Sequence, residues 1–220
     1  MRKINFNNRY GLTNAVRDGL KTMTRRIVPQ CVIDKVEEYQ RDYYAAALEC
    51  ISVEDAILNM VFAERMFNSA YRVGEVVAVA QSYKDCGYTQ DWVACNVKPN
   101  PKAPQDAPFE KKYPGWSNKL FVCADLMPIH VKHTDIKVER LQDISVEDLE
   151  KEGVEVRRYE KSGNEYVFYH PNPYRNGNWG YVHYYSLQDA GRAFFDSICG
   201  KDTWESNPFV FAYTFEIVKQ

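Results

Sequence analysis

Asp18-Gly-Leu-Lys-Thr-Met-Thr-Arg-Arg-Ile27 packs one amine, two hydroxyls and two guanidiniums into the six residues from Lys21 to Arg26. Gly19 stands where a helix C-cap belongs, because only glycine enters the left-handed region cheaply. Upstream, Leu12, Val16 and Leu20 recur at helical spacing and predict a short helix over residues 9–20. Downstream, Thr22 to Val28 is rich in β-branched residues and predicts a strand, which Pro29 stops. Alternate side chains on a strand share a face, so Thr22, Thr24 and Arg26 belong together. Lys21 is placed in the turn, its stem bending over the first residues of the strand. Chemistry alone leaves two readings open, a solvated basic strand end or a functional site.

Working outward, the 220 residues suffice for one sizeable core with insertions. The net charge of −2 argues against tight non-specific nucleic-acid binding. Charge is unevenly spread, however. Residues 1–30 carry Arg2, Lys3, Arg9, Arg17, Lys21, Arg25 and Arg26 against Asp18 alone. No apolar run approaches the ~20 residues of a membrane span, and the N-terminal residues lack the apolar core of a signal peptide. Six cysteines are scattered without a Cys-x-x-Cys pair and read as reduced thiols of a cytoplasmic protein.

Residues 34–68 predict two helices. Val36, Tyr39, Tyr43, Ala47 and Cys50 form one stripe, and a capping box at Ser52–Asp55 starts the second helix, with Ile57, Met60, Val61 and Phe67 on one face. The outer faces are acidic, so the pair is expected to pack outside the main sheet. Further strands are expected near 75–81, 92–97, 119–124, 129–141, 154–169 and 209–218. Residues 98–116 hold prolines at 99, 101, 104, 108 and 114 and read as a long irregular loop. Ser145 and Ser186 read as N-caps of two later helices, closed by Gly153 and Gly200. Residues 154–185 read as a hairpin followed by an aromatic-rich loop. Its aromatics, beside Arg157, Arg158 and Arg175, serve either packing or base stacking. His130 and His133 fall on opposite faces of a strand, so no metal site is expected, and no cofactor fingerprint is present.

The pattern Gly19-x-Lys21-x-x-Thr24-x-Arg26 resembles the signature of the ASCH family, relatives of the PUA domains. Two further stretches resemble the same family. Gly74-Glu75 precedes an apolar strand, and a capped helix after strand 129–141 ends in Glu152-Gly153. Trp204 and Asn207-Pro208 before the last strand look like the larger, phage-associated ASCH proteins. The resemblance implies an α+β fold, a PUA-like, mostly antiparallel β-barrel with surrounding helices. It implies a single domain with insertions at about 31–70 (helical), 84–118 (the proline-rich loop) and 157–185 (the aromatic-rich hairpin and loop).

The resemblance also implies two functions. One branch of the family deacylates a modified cytidine. By that analogy Lys21, Thr24 and Glu152 form the catalytic set of an amidohydrolase acting on an acylated nucleoside or RNA base. Thr24 needs a base to become a nucleophile, burial would lower the Lys21 pKa enough to supply one, and Glu152 would protonate the departing amine. Arg26 would hold a carbonyl or phosphate oxygen. The alternative is a non-catalytic RNA-binding module, in which Lys21, Arg25 and Arg26 grip phosphate.

Overall fold

The computed structural model describes residues 1–45, 52–63, 71–160, 163–171 and 179–218. The far ends of both expected insertion helices lie outside the described residues, as do Tyr174 and Arg175. In chain order the strands are β1 (Lys3–Ile4), β2 (Met23–Ile27), β3 (Val76–Val79), β4 (His130–Arg140), β5 (Glu155–Tyr159), β6 (Gly163–Pro171), β7 (Trp179–Tyr184) and β8 (Phe209–Val218). The helices are α1 (Leu12–Arg17), α2 (Gln30–Ala45), α3 (Val53–Leu58), α4 (Gln90–Asn96), α5 (Phe109–Lys112), α6 (Val146–Lys151), α7 (Leu187–Cys199) and α8 (Thr203–Ser206).

The protein is α+β with two sheets. The larger has the order β1-β3-β4-β8-β2 and is antiparallel except where β1 joins β3; the smaller is the antiparallel ribbon β5-β6-β7. The expected closed barrel is not formed among the described residues. The sheet ends at β1 on one side and β2 on the other. The continuation of β1, Asn5–Asn7, and the edge of β2 face each other across a cavity instead of pairing. The Arg26 guanidinium crosses that gap to the Asn5 carbonyl at 2.7 Å.

The main core lies between the larger sheet, the ribbon and α7, with Ile4, Val79, Val131, Phe168, Phe194, Val210 and Phe215 at its centre. The predicted helical insertion packs on the opposite sheet face. Val32 and Val36 of α2 and Ile57, Met60 and Val61 of the α3 region bury against Phe209, Phe211 and Tyr213 of β8. Ser52 caps α3 through a hydrogen bond from the Asp55 amide, as its sequence pattern predicts. Helix α2 begins at Gln30, earlier than expected, because Pro29 stands directly before it and leaves the first turn free to form.

Three expectations are corrected. Residues 92–96 are helical, not a strand, and Val97 is the extended residue that caps the helix. Thr89 accepts from the Trp92 amide as an N-cap, and Trp92 stacks on Tyr88 with ring centroids 4.0 Å apart. Residues 119–124 form 3-10 turns, because the Asn118 side chain accepts from the Leu120 amide and bends the chain. Residues 179–184, expected in a loop, form strand β7. The proline-rich stretch is also less irregular than expected. It carries α5 and a turn at Pro114–Trp116, and joins a small core built on Tyr83, Val93, Val122 and Met127. Gly115 belongs there because a Cβ would stand 2.6 Å from Tyr83 Cε2.

Both histidines of β4 are buried, since the strand is central and covered on both faces. His133 stacks on Tyr71 at 4.7 Å, and neither ring nitrogen has a hydrogen-bond partner among the described residues. Burial lowers its pKa from 6.5 to about 4. The folded pKa lies below the unfolded one, so the unfolded chain takes up the proton first as pH falls. The stabilisation is full above pH 6.5 and is lost as pH falls toward about 4. Urea titrations across this window are expected to show about 3 kcal/mol of acid destabilisation that His133→Phe removes. An equally steep decline in the variant would assign the effect to other groups.

Candidate functional site

The turn before β2 is built as its sequence predicts. Helix α1 ends in a left-handed Gly19 (φ 74°), and the Leu20 and Lys21 amides both fold back to the Ala15 carbonyl. The Thr22 amide then donates to the Lys151 carbonyl at 2.9 Å, tying the turn to the end of α6. Ser145 caps α6 and accepts from the Asp148 amide. Gly153 ends it with φ 102°, and its α-carbon lies so close to the turn that a Cβ would sit 3.6 Å from Lys21 Cβ. Two short capped helices thus bring Lys21 and Glu152, 131 residues apart, into contact.

Lys21 is 1% exposed and Glu152 2%. Lys21 Nζ donates to Glu152 Oε2 at 2.5 Å and to the Glu152 carbonyl at 2.7 Å. Burial drives the Lys21 pKa below its ordinary value. The Glu152 carboxylate opposes that shift, and the nearby Arg26 and Arg25 guanidiniums add to it. Thr24 and Arg26 join the pair in lining one cavity of about 280 Å³. Its other walls are Asn5–Asn7 and the end of α7, including Phe194, Ile198 and Cys199. Thr24 is buried in this wall, while Arg26 reaches solvent.

Arg25 takes a different part from the phosphate grip expected of it. It is 6% exposed and held by three carboxylates. Nη2 donates to Glu139 Oε1 at 2.5 Å and to Asp148 Oδ2 at 3.0 Å, and Nη1 to Glu152 Oε1 at 3.2 Å. Burial pulls its pKa down, but the carboxylates outweigh burial and hold it raised. Lys137 and Lys151 complete the cluster on Asp148. Arg25 therefore fixes one carboxylate oxygen of Glu152 while Lys21 takes the other.

The structure places Lys21, Thr24, Arg26 and Glu152 around one cavity and adds Glu139 and Asp148, which the sequence did not single out. Asp148 stands three residues after the Ser145 cap, where an acid reads as part of the cap, and Glu139 lies in an alternating strand where a carboxylate reads as solvated. The surplus of seven cations over one acid in residues 1–30 was a usable signal that distant carboxylates would come to meet them. Among the described residues, no three His, Cys, Asp or Glu side chains gather to hold a metal ion, and no helix is long and apolar enough to cross a membrane. No family model, curated protein or solved structure matches the chain.

Proposed function

We propose that the protein is an amidohydrolase that removes an acyl group from a modified cytidine, with Lys21, Thr24 and Glu152 as its reacting groups. The observation that carries this reading is the meeting of an amine, a hydroxyl and a carboxylate at one cavity, with the amine and carboxylate buried in direct contact. The motif resemblance to the ASCH family supports it, and with it a reading of the larger sheet as an opened PUA-like barrel. A cavity of about 280 Å³ suits a single nucleobase and its acyl group better than a strand.

In this reading the neutral Lys21 amine accepts the Thr24 proton, and Thr24 Oγ1 attacks the acyl carbonyl carbon. The oxyanion of the tetrahedral intermediate is held by Arg26, the lining guanidinium that reaches solvent. The C–N bond then breaks, and the departing exocyclic amine takes the proton shared across the Lys21–Glu152 hydrogen bond. Water attacks the Thr24 ester and gives a proton to the Lys21–Glu152 pair; that proton passes to Thr24 Oγ1 as its bond to the acyl carbon breaks, so the carboxylic acid leaves and the neutral amine and the hydroxyl are restored. The alternative phosphate-gripping module is less well supported, because three carboxylates occupy Arg25.

The test is incubation with N4-acetylcytidine and related acylated nucleosides, followed by product analysis. Release of cytidine and acetate is expected, at a rate that climbs as pH rises through the lowered Lys21 pKa, below the 10.5 of a free lysine. Intact substrate across the whole panel would remove the hydrolase reading.

A further inference from the structure

The ribbon β5-β6-β7 turns one face to the core and leaves the other open. Pairing places Tyr169 opposite Tyr181, and β-alternation puts Trp179 and His183 on the same face as Tyr181. Tyr169 meets Trp179 at 5.6 Å and Tyr181 at 5.5 Å between ring centroids. Tyr181 is 68% exposed and Tyr169 38%, a large aromatic exposure on a face of which Arg9 and Tyr10 cover only the Trp179 end among the described residues. The Arg9 guanidinium lies over the Trp179 ring at 4.1 Å, extending the aromatic row by one more planar group.

Charge on this side of the molecule is also selective. The acids of the ribbon face are consumed internally. Glu165 is engaged by His183, Arg157 and Tyr159, and Glu155 by Arg157. Arg9 and Arg26, in contrast, have no carboxylate partner among the described residues. These two cations flank the cavity wall Asn5–Asn7. Tyr10, next to Arg9, packs on Trp179 and donates to the carbonyl of Ser197, the residue before the cavity-lining Ile198. The aromatic row therefore runs up to the rim of the cavity.

We infer that this face is a docking surface for single-stranded nucleic acid, whose bases stack on Tyr181, Tyr169 and the Arg9 plane while the Arg9 guanidinium meets phosphate. Base–aromatic stacking tolerates sequence, and a guanidinium without a carboxylate partner provides the complementary charge. A strand lying along the row presents its next base to the cavity, so the acylated base is taken from within a chain. That last step rests on the hydrolase reading; the docking surface does not.

The experiment measures anisotropy of short fluorescein-labelled single-stranded RNA and DNA across a salt series, with the full chain. Binding is expected, with Tyr181→Ala weakening it about tenfold and Tyr181→Phe leaving it close to wild type. Arg9→Ala is expected to flatten the dependence of log K on log salt by about 0.7. RNA and DNA arms decide whether the ribose hydroxyl contributes. Absence of binding to either strand at low salt, or equal affinity of Tyr181→Ala and wild type, overturns the surface. Hydrolysis of a free acylated nucleoside without strand binding removes the surface and keeps the reaction. Strand binding with the expected variant effects, but no hydrolysis of any nucleoside, removes the reaction and keeps the surface.

Discussion

Replacing Thr24 by Ala is expected to lower kcat for an acylated cytidine by at least about 10³-fold while substrate Kd stays nearly unchanged, because the lost interaction belongs to the transition state. The substitution removes one hydroxyl from the cavity wall and no charge, and the Lys21–Glu152 contact and the carboxylate clamp on Arg25 do not involve it. Folding should therefore be little affected, which urea denaturation of the variant checks directly. Thr24→Ser keeps the nucleophile and should retain measurable turnover. Lys21→Met should be as damaging as Thr24→Ala, and the rise of rate with pH should vanish with it. Turnover by Thr24→Ala close to wild type would show that the hydroxyl is not the nucleophile, and the proposed covalent intermediate would have to be abandoned.

Glu152→Ala is expected to destabilise the fold by about 3–5 kcal/mol, the usual cost of removing one partner from a buried ion pair. Its carboxylate is the counter-charge of Lys21 and one of three for Arg25, all with side chains no more than 13% exposed. Its loss leaves the buried ammonium facing two guanidiniums with no acid in contact. Glu152→Gln keeps the shape and one of the two side-chain acceptors, its NH2 group facing the other cation, and should recover only part of the loss. Removing both partners, as Lys21→Met with Glu152→Leu, should cost well under the sum of the single changes, since apolar replacements of a buried pair are often tolerated. Urea midpoints for the four proteins close the cycle. Simple additivity would mean that the two groups do not interact in solution.

The turn from α1 into β2 was legible because it uses local rules: a left-handed glycine, a β-branched run and a terminating proline. The caps at Ser52, Ser145 and Ser186 were legible for the same reason, each serine accepting from the amide three residues on. Placing Glu152 beside Lys21 needed the family resemblance, since nothing local joins residues so far apart. What failed was judged on short apolar runs. Residues 92–97 and 119–124 alternate weakly enough to read as strands, but single side-chain caps at Thr89 and Asn118 decide their geometry. Strand β7 was hidden because its tyrosines and glycine resemble a loop until β6 is present to pair with. The carboxylate clamp on Arg25 depends on β4 lying two strands from β2, and strand order is not written in any single segment.

Strand β8 stands between β4 and β2, and among the described residues β2 has no other strand partner in the sheet. The motif-bearing strand is therefore fastened by residues synthesised nearly two hundred positions later. The cavity has the same long reach, since its walls run from Asn5 to Cys199. During translation the amine, hydroxyl and carboxylate can be made and α6 can form, yet β2 has nothing to pair with until Phe209–Val218 leaves the ribosome. Such non-local closure is slow and entropically costly. A nascent chain halted before Phe209 should hold Lys21 exposed and fully protonated, so the proposed reaction would begin only once β8 has paired with β2.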